Sequence, residues 1–218
     1  MKEFKRDDFI KSVECIQKLM TEYRDYLIAL DSVIGDGDLG LTMLKSFTAG
    51  LETALASADT DLGMLFKKVG FAIAKAAPST MGTLTATAFI EAGKALAGAE
   101  TATAETFCGC FTVMAEGVAA RGKAKEGDKT LLDVLFPVGR AVADSKSGDL
   151  TERMGIAVEQ AEISLEKTKE MMNQHGKAAV FREKTIGVPD PGASAALLMI
   201  LGFAQACGVK RDASAALK

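Results

Sequence analysis

The sequence predicts an all-α protein, an eight-helix antiparallel up-and-down barrel or bundle with a site at one end. Three observations carry this expectation. Apolar residues recur at spacings of three and four along most of the chain. No run rich in Val, Ile and Tyr alternates with period two, and no Asn-Gly or Asp-Gly pair separates two such runs. The composition favours Ala, Leu, Met, Lys and Glu, with 21 glycines and only 4 prolines among 218 residues.

The first helix is predicted over 7 to 30, where Phe9, Ile10, Val13, Ile16, Leu19, Met20, Tyr23, Tyr26, Leu27 and Leu30 share a face behind an acidic start at Asp7 or Asp8. The same pattern predicts helices at 39–57, 62–77, 81–97, 103–121, 129–145, 151–174 and 191–207. Asp38 stands where it can cap the second helix, and Ser79 or Thr80 the fourth. The Ala/Thr-rich stretch 52–107 brings helices together through small side chains. Asp128 or Thr130 can cap the sixth helix. The seventh ends at His175, read as an exposed helix-end residue outside every motif. Asp190 is a favoured cap for the eighth, with Pro191 at its first position. Short connections imply antiparallel neighbours. No Pro/Ser-rich linker divides the chain, so residues 1–218 are expected to form a single domain.

Charge and composition exclude several functions. Lys+Arg 26 against Asp+Glu 29 leaves a net charge of -3, unlike the basic surface that nucleic acid requires. The start, Met1-Lys-Glu-Phe-Lys-Arg, lacks a signal peptide's apolar stretch. No run approaches the roughly 20 apolar residues of a membrane span. A cytoplasmic protein is expected, with no membrane partner. Cys15, Cys108, Cys110 and Cys207 with the single His175 do not make a zinc site; they read as buried free thiols.

Four connections are chemically unusual, and in an up-and-down arrangement these alternate connections share one end. The first runs Asp31-Ser-Val-Ile-Gly35-Asp36-Gly37-Asp38-Leu39-Gly40-Leu41-Thr42-Met43. Its glycines permit a sharp turn that aims Asp31, Asp36 and Asp38 at one point. Three converging carboxylates repel one another unless a cation sits among them, and all-oxygen ligation suits Mg²⁺ or Ca²⁺. A calcium EF-hand fails, because twelve residues from Asp31 end on Thr42 rather than Glu. The alternative reading is a solvated turn with Asp38 as a helix cap. Pro78-Ser79-Thr80-Met81-Gly82-Thr83 opens a helix and suits an anion, although Ser and Thr there also serve as plain caps. Arg121-Gly122 through Gly127-Asp128-Lys129-Thr130 and Lys184 through Asp190-Pro191-Gly192-Ala193 complete the set.

Together, Gly35-Asp36-Gly37-Asp38-x-Gly40, Gly127-Asp128-Lys129-Thr130 and Asp190-Pro191-Gly192-Ala193, in order, resemble the L subunit of dihydroxyacetone kinase. That nucleotide-binding domain also ends the single-chain ATP-dependent kinases, and the resemblance covers essentially the whole chain. It implies an eight-helix barrel that binds ADP or ATP with two Mg²⁺ ions on Asp31, Asp36 and Asp38. It implies that Leu39, Gly40, Leu41 and Thr42, with Ser79, Thr80, Met81 and Gly82, contact the phosphates. Gly122, Leu131, Asp190, Pro191 and Gly192 then line the adenine and ribose end. Lys184 falls where the family often has an arginine near the transferred phosphate, keeping the charge without the bidentate fork. Leu39 and Thr42 replace residues that are His and Asn in other members, and Pro78-Ser79-Thr80-Met81 replaces a Gly/Ser-rich turn.

Phosphoryl transfer needs charge neutralisation and in-line positioning more than a protein nucleophile. The resemblance implies a kinase subunit whose ketose is held on a separate K subunit. Its phosphate then comes from ATP, or through bound ADP from a phosphotransferase-system M subunit. A non-catalytic nucleotide-binding regulatory module is the competing reading. A homodimer is compatible with the sequence.

Overall fold

In the computed structural model, which describes residues 1–214, 216 and 217, the apolar face expected over 7–30 forms two helices rather than one. α1 (Arg6–Glu22) and α2 (Arg24–Ile34) meet at Tyr23, whose φ of -96° and ψ of 12° bend the axis. The hydrogen bonds Tyr23 N–H to Leu19 O (2.9 Å) and Leu27 N–H to Tyr23 O (3.0 Å) run on through the bend. Periodicity therefore looks uninterrupted in sequence while the helix changes direction.

The remaining helices are α3 (Leu39–Ala56), α4 (Leu62–Ala76), α5 (Thr80–Ala95), α6 (Ala104–Gly122), α7 (Leu132–Asp144), α8 (Leu150–Lys167) and α9 (Pro191–Ala206). Each consecutive pair from α3 to α9 packs together, and α1 closes the ring against both α9 and α3. The ring thus has eight members, as expected, with α2 as an additional segment that leans on α3 and α9. α9 is apolar on all sides and buried along nearly its whole length, from Ala193 through Ala204. Buried side chains form one continuous core.

Helix direction divides this core. The ring of Phe203, late in α9, has its centroid 5.8 to 6.3 Å from those of Phe66, Phe89, Phe107 and Phe111. Most of these rings lie near the starts of α4 and α6 and the end of α9, at the end where Phe4 stacks on Phe107 at 3.9 Å. Bulky aromatics fill that half. The opposite half, where α3, α5, α7 and α9 begin, carries small residues such as Thr85, Ala86, Ala193 and Ser194.

Two details depart from the expected elements. Glu3–Lys5 (β1) pairs antiparallel with Thr101–Thr103 (β2), Phe4 opposite Ala102, so a two-strand ladder accompanies the helices. Three-residue strands with one buried residue each are too short to show a period. The helix expected over 151–174 ends at Lys167, followed by a 3-10 turn at Thr168–Glu170 and irregular chain. There the Thr168 hydroxyl donates to Leu165 O (2.6 Å) and the Met171 carbonyl turns to a lysine from elsewhere, so helical bonding stops.

All four cysteines are free thiols; burial pushes Cys108, Cys110 and Cys207 up to about 12. Among the described residues, no helix is long and apolar enough to cross a membrane.

α4 and α5 cross through a pair of glycines. A Cβ on Gly93 would lie 2.7 Å from Gly63 O, and one on Gly63 would lie 2.6 Å from Gly93 O. Both obstacles are backbone. Helix propensity alone favours alanine by about 1 kcal/mol, so overpacking must exceed that to show. We predict that Gly93→Ala lowers unfolding stability by about 1–3 kcal/mol, read as a lower urea midpoint; an unchanged midpoint means that the crossing widens freely.

Candidate functional site

The turn between α2 and α3 brings the three aspartates together. Gly37 adopts φ of 71°, a conformation that costs glycine nothing. Gly35 is required by contact instead, since a Cβ there would fall 2.3 Å from Asp31 Oδ1. Carboxylate oxygens of Asp31, Asp36 and Asp38 consequently all lie within 4.8 Å of one another. Asp38 precedes α3 but accepts no capping hydrogen bond; the Leu39 amide donates to Asp31 Oδ2 (3.2 Å) instead. The solvated-cap reading of Asp38 therefore fails, and its oxygens are left for another partner.

Burial raises the Asp31 carboxyl above its ordinary value, and the neighbouring charges of Asp36 and Asp38 add to that effect. Asp36 is held below its ordinary value by the Lys177 ammonium, which bonds Asp36 Oδ2 directly. The donor set is all oxygen, convergent and anionic, which fits Mg²⁺ completed by water or phosphate.

The aspartates edge a cavity of about 390 Å³, within the roughly 300–1,000 Å³ typical of small-molecule sites. Residues of all four unusual connections line it. Of the residues expected there, Asp31, Asp36, Asp38, Leu39, Ser79, Thr80, Met81, Leu131, Asp190, Pro191 and Gly192 form the wall. Gly40, Leu41, Thr42, Gly82, Gly122 and Lys184 lie outside it. Gly40 serves packing, because a Cβ would lie 2.2 Å from Arg24 O, and the Gly82 amide donates to Ser79 Oγ (3.0 Å). Ser79 is thus the cap of α5, while Thr80 and Met81 begin the helix at the cavity. Lys184 is exposed on the connection between α8 and α9. Because α3, α5, α7 and α9 all start at this end, four positive helix termini face it.

That long connection supplies what the sequence reading missed: Asn173, His175, Gly176, Lys177 and Ala178 also line the cavity. His175 is not a helix-end residue; α8 stops eight residues earlier, and the His175 Nε2 lies 2.8 Å from Asp128 Oδ2. Burial raises the Asp128 carboxyl, but the Lys125 amide and His175 outweigh it and hold it below the ordinary value. The one available signal was a glycine between two basic residues, His175-Gly176-Lys177, just ahead of the connection noted as unusual from Lys184 on.

Lys129 anchors the connection. It is fully buried with φ of 57°, and its ammonium donates to the carbonyls of Met171 (3.1 Å), Thr185 and Val188 (2.8 Å). Burial lowers its pKa, with Asp190 opposing. Asn173 Nδ2 donates both to Lys129 O (2.9 Å) and to Asp190 Oδ1 (2.8 Å), and Asp190 Oδ2 caps α9 by accepting from the Ala193 amide (2.8 Å). Complete burial pushes Asp190 up to about 6 despite these bonds.

Residues 33–205 match the DAK2 domain. The ADP-binding subunit DhaL of the PEP-dependent dihydroxyacetone kinase of Escherichia coli K12 is 35% identical over 178 residues, covering 81% of this chain and 85% of that subunit. The corresponding subunit of kinase 1 from Listeria innocua is 32% identical over 184 residues, covering 84% and 88%. L-erythrulose 1-kinase of Mycolicibacterium smegmatis is 28% identical over 195 residues, covering 88% of this chain and 34% of that enzyme. The crystal structure of the C. freundii dihydroxyacetone kinase with AMP-PNP and Mg²⁺ shares the fold, with a TM-score of 0.67 at 23% identity over 90% of this chain and 33% of that one.

Two tests follow from the anchor. Lys129→Met leaves three carbonyls without their donor, and we predict faster tryptic cleavage at the exposed Arg182 and Lys184; an unchanged rate means that the connection is held by other contacts. Asp190 has a folded pKa of about 6 against roughly 3.9 unfolded. Its favourable contribution is full below the unfolded value and is lost as pH rises through the folded one. Asp190→Asn, which keeps a capping oxygen, should therefore remove a stability loss of order 1–3 kcal/mol between about pH 4 and 7, measured by urea unfolding of both proteins.

Proposed function

The chain belongs to the DAK2-domain family, and from that premise we propose that it is the nucleotide-binding subunit of a kinase for dihydroxyacetone or a related short ketose, a phosphotransferase acting with a partner subunit. The observation that carries this reading is the placing of three uncapped carboxylates beside the starts of α5 and α9 on one cavity. Relatives named as ADP-binding subunits support ADP as the resident nucleotide, and the erythrulose kinases support short ketoses as acceptors.

In this proposal Asp31, Asp36 and Asp38 hold two Mg²⁺ ions with the nucleotide phosphates. When bound, the ions supply charge neutralisation and alignment for in-line phosphoryl transfer. The phosphates lie against Leu39 and the first turn of α5, where helix-start amides and the positive ends of the dipoles favour anions. Leu131, Pro191 and Gly192 give an apolar wall to the base end, with Gly122 beyond it. Lys184, exposed on the α8–α9 connection and outside the cavity wall, is the residue proposed to offset the charge that develops on the transferred phosphate.

A K-type partner carries the ketose and docks over this end. Exposed Val33, Leu41, Val180, Phe181 and Ile186, on α2, α3 and the long connection, suit such docking. Relatives named as PEP- or PTS-dependent, ADP-binding subunits support a cycle in which bound ADP is recharged from a phosphotransferase system, and in this proposal an M subunit delivers the phosphate in the cytoplasm.

Calorimetry of ADP binding with and without Mg²⁺ tests the reading. Wild type should bind ADP in a Mg²⁺-dependent manner, and Asp36→Ala should weaken that binding by on the order of tenfold or more, about 1.4 kcal/mol. Metal-independent binding that survives the substitution would favour a regulatory module. Ketose phosphorylation by the purified chain alone would sink the division between two subunits.

A further inference from the structure

A second cavity, of about 290 Å³, lies along the seam between α7 and α8, just under the roughly 300 Å³ at which small-molecule sites begin. Asp133, Pro137, Ala141 and Asp144 follow one another on a single stripe of α7 and face Ser164 and Lys167 on a stripe of α8. The small side chains of Ala141 and Ser164 leave the room, and charged groups stand around it. None of the residues lining it lines the larger cavity.

The fold leaves polar groups of this seam partly unused. Ser164 is only 2% exposed; its oxygen accepts from Gln160 Nε2 (3.0 Å), while its own O–H meets no acceptor among the described residues. Pro137, inside α7, has no N–H to return to the Asp133 carbonyl four residues earlier. The buried Asp133 carboxylate accepts one amide on each oxygen, from Gly127 (2.6 Å) and Thr130 (2.7 Å), and keeps lone pairs on both. At the rim, Arg140 and Glu126 satisfy each other through two bonds (2.8 and 2.7 Å). Asp144 and Lys167, on the same cavity, enter no ion pair among the described residues.

Charge restricts what can enter. Asp133 and Asp144 repel an anion, and Lys167 and Arg140 repel a cation. A hydroxyl meets both demands, because it donates one hydrogen bond and accepts others. We propose that the α7–α8 seam is a second ligand site, for a small neutral polyhydroxyl compound that bridges Asp144 and the Asp133 carbonyl on α7 to Ser164 and Lys167 on α8. Its hydroxyls donate to the acceptors of α7 and accept from the donors of α8. The site does not depend on the metal and nucleotide reading of the preceding section, although through Asp133 it backs onto the turn that carries Lys129.

The test is an amide-resolved NMR titration of the isotope-labelled full chain with erythritol, a linear polyol without a carbonyl. Amides of 133–144 and 160–171 should shift saturably with a Kd on the order of 1–10 mM, and those of 31–39 should stay in place. Ala141→Leu fills the floor while keeping every polar group and a good helix former, and should weaken binding by about tenfold or more. Ser164→Ala should weaken it about fivefold, the scale of one hydrogen bond. Inorganic phosphate and L-serine, an anion and a zwitterion, should leave the seam unshifted. Shifts that never saturate, saturable shifts confined to 31–39, or a Kd unchanged in Ala141→Leu would each overturn the site. Saturable seam shifts with phosphate or L-serine that match those with erythritol would overturn the class of ligand.

Discussion

The functional end of the molecule hangs on one buried ammonium. Lys129 has no exposed surface, and an unpaired charge there would be costly. Three carbonyls of the α8–α9 connection solvate it, and Asp190 supplies the nearby negative charge. The consequence reaches past the lysine itself. Met171 is held at one side of the connection and Thr185 and Val188 at the other, which stations His175 and Lys177 on the cavity wall. Asn173 extends the same network to the start of α9, so the entrances of α7 and α9 share one set of bonds.

The two halves of the ring divide the physical work. Phenylalanines from α4, α5, α6 and α9 fill the half away from the site and supply apolar burial. The other half carries small residues, helix starts and a cavity. Burial and the nearby charges of Asp36 and Asp38 raise the Asp31 carboxyl, and the positive ends of α3, α5, α7 and α9 partly offset the repulsion among the three. The same combination leaves the end receptive to a metal with a phosphate-bearing ligand.

Much of this was legible in the chain. The Asp31–Asp38 turn could be found because glycine and aspartate at those positions have local physical meanings. Gly37 does take a positive φ, and Asp190 does cap α9 with Pro191 at its first position. Other local readings failed where distant atoms intervened. Asp38 looked like a cap, yet its side chain accepts no amide of α3, while the first amide of that helix, Leu39 N–H, donates to Asp31, eight residues back. Tyr23 sits in an unbroken apolar pattern and still marks a bend, because the hydrogen bonds continue through it.

Side-chain spacing along 218 residues was enough to specify the helices, their alternation and the end at which unusual connections gather, because those depend on bonds between near neighbours. The α8–α9 connection obeyed a different rule. Its apolar residues kept helical spacing to Met172, and His175 looked like a helix end, but the carbonyls of this stretch are drawn to Lys129 from more than forty residues away. Which basic side chains line the cavity, His175 and Lys177 rather than Lys184, was therefore decided only when the folded chain brought a buried charge to them.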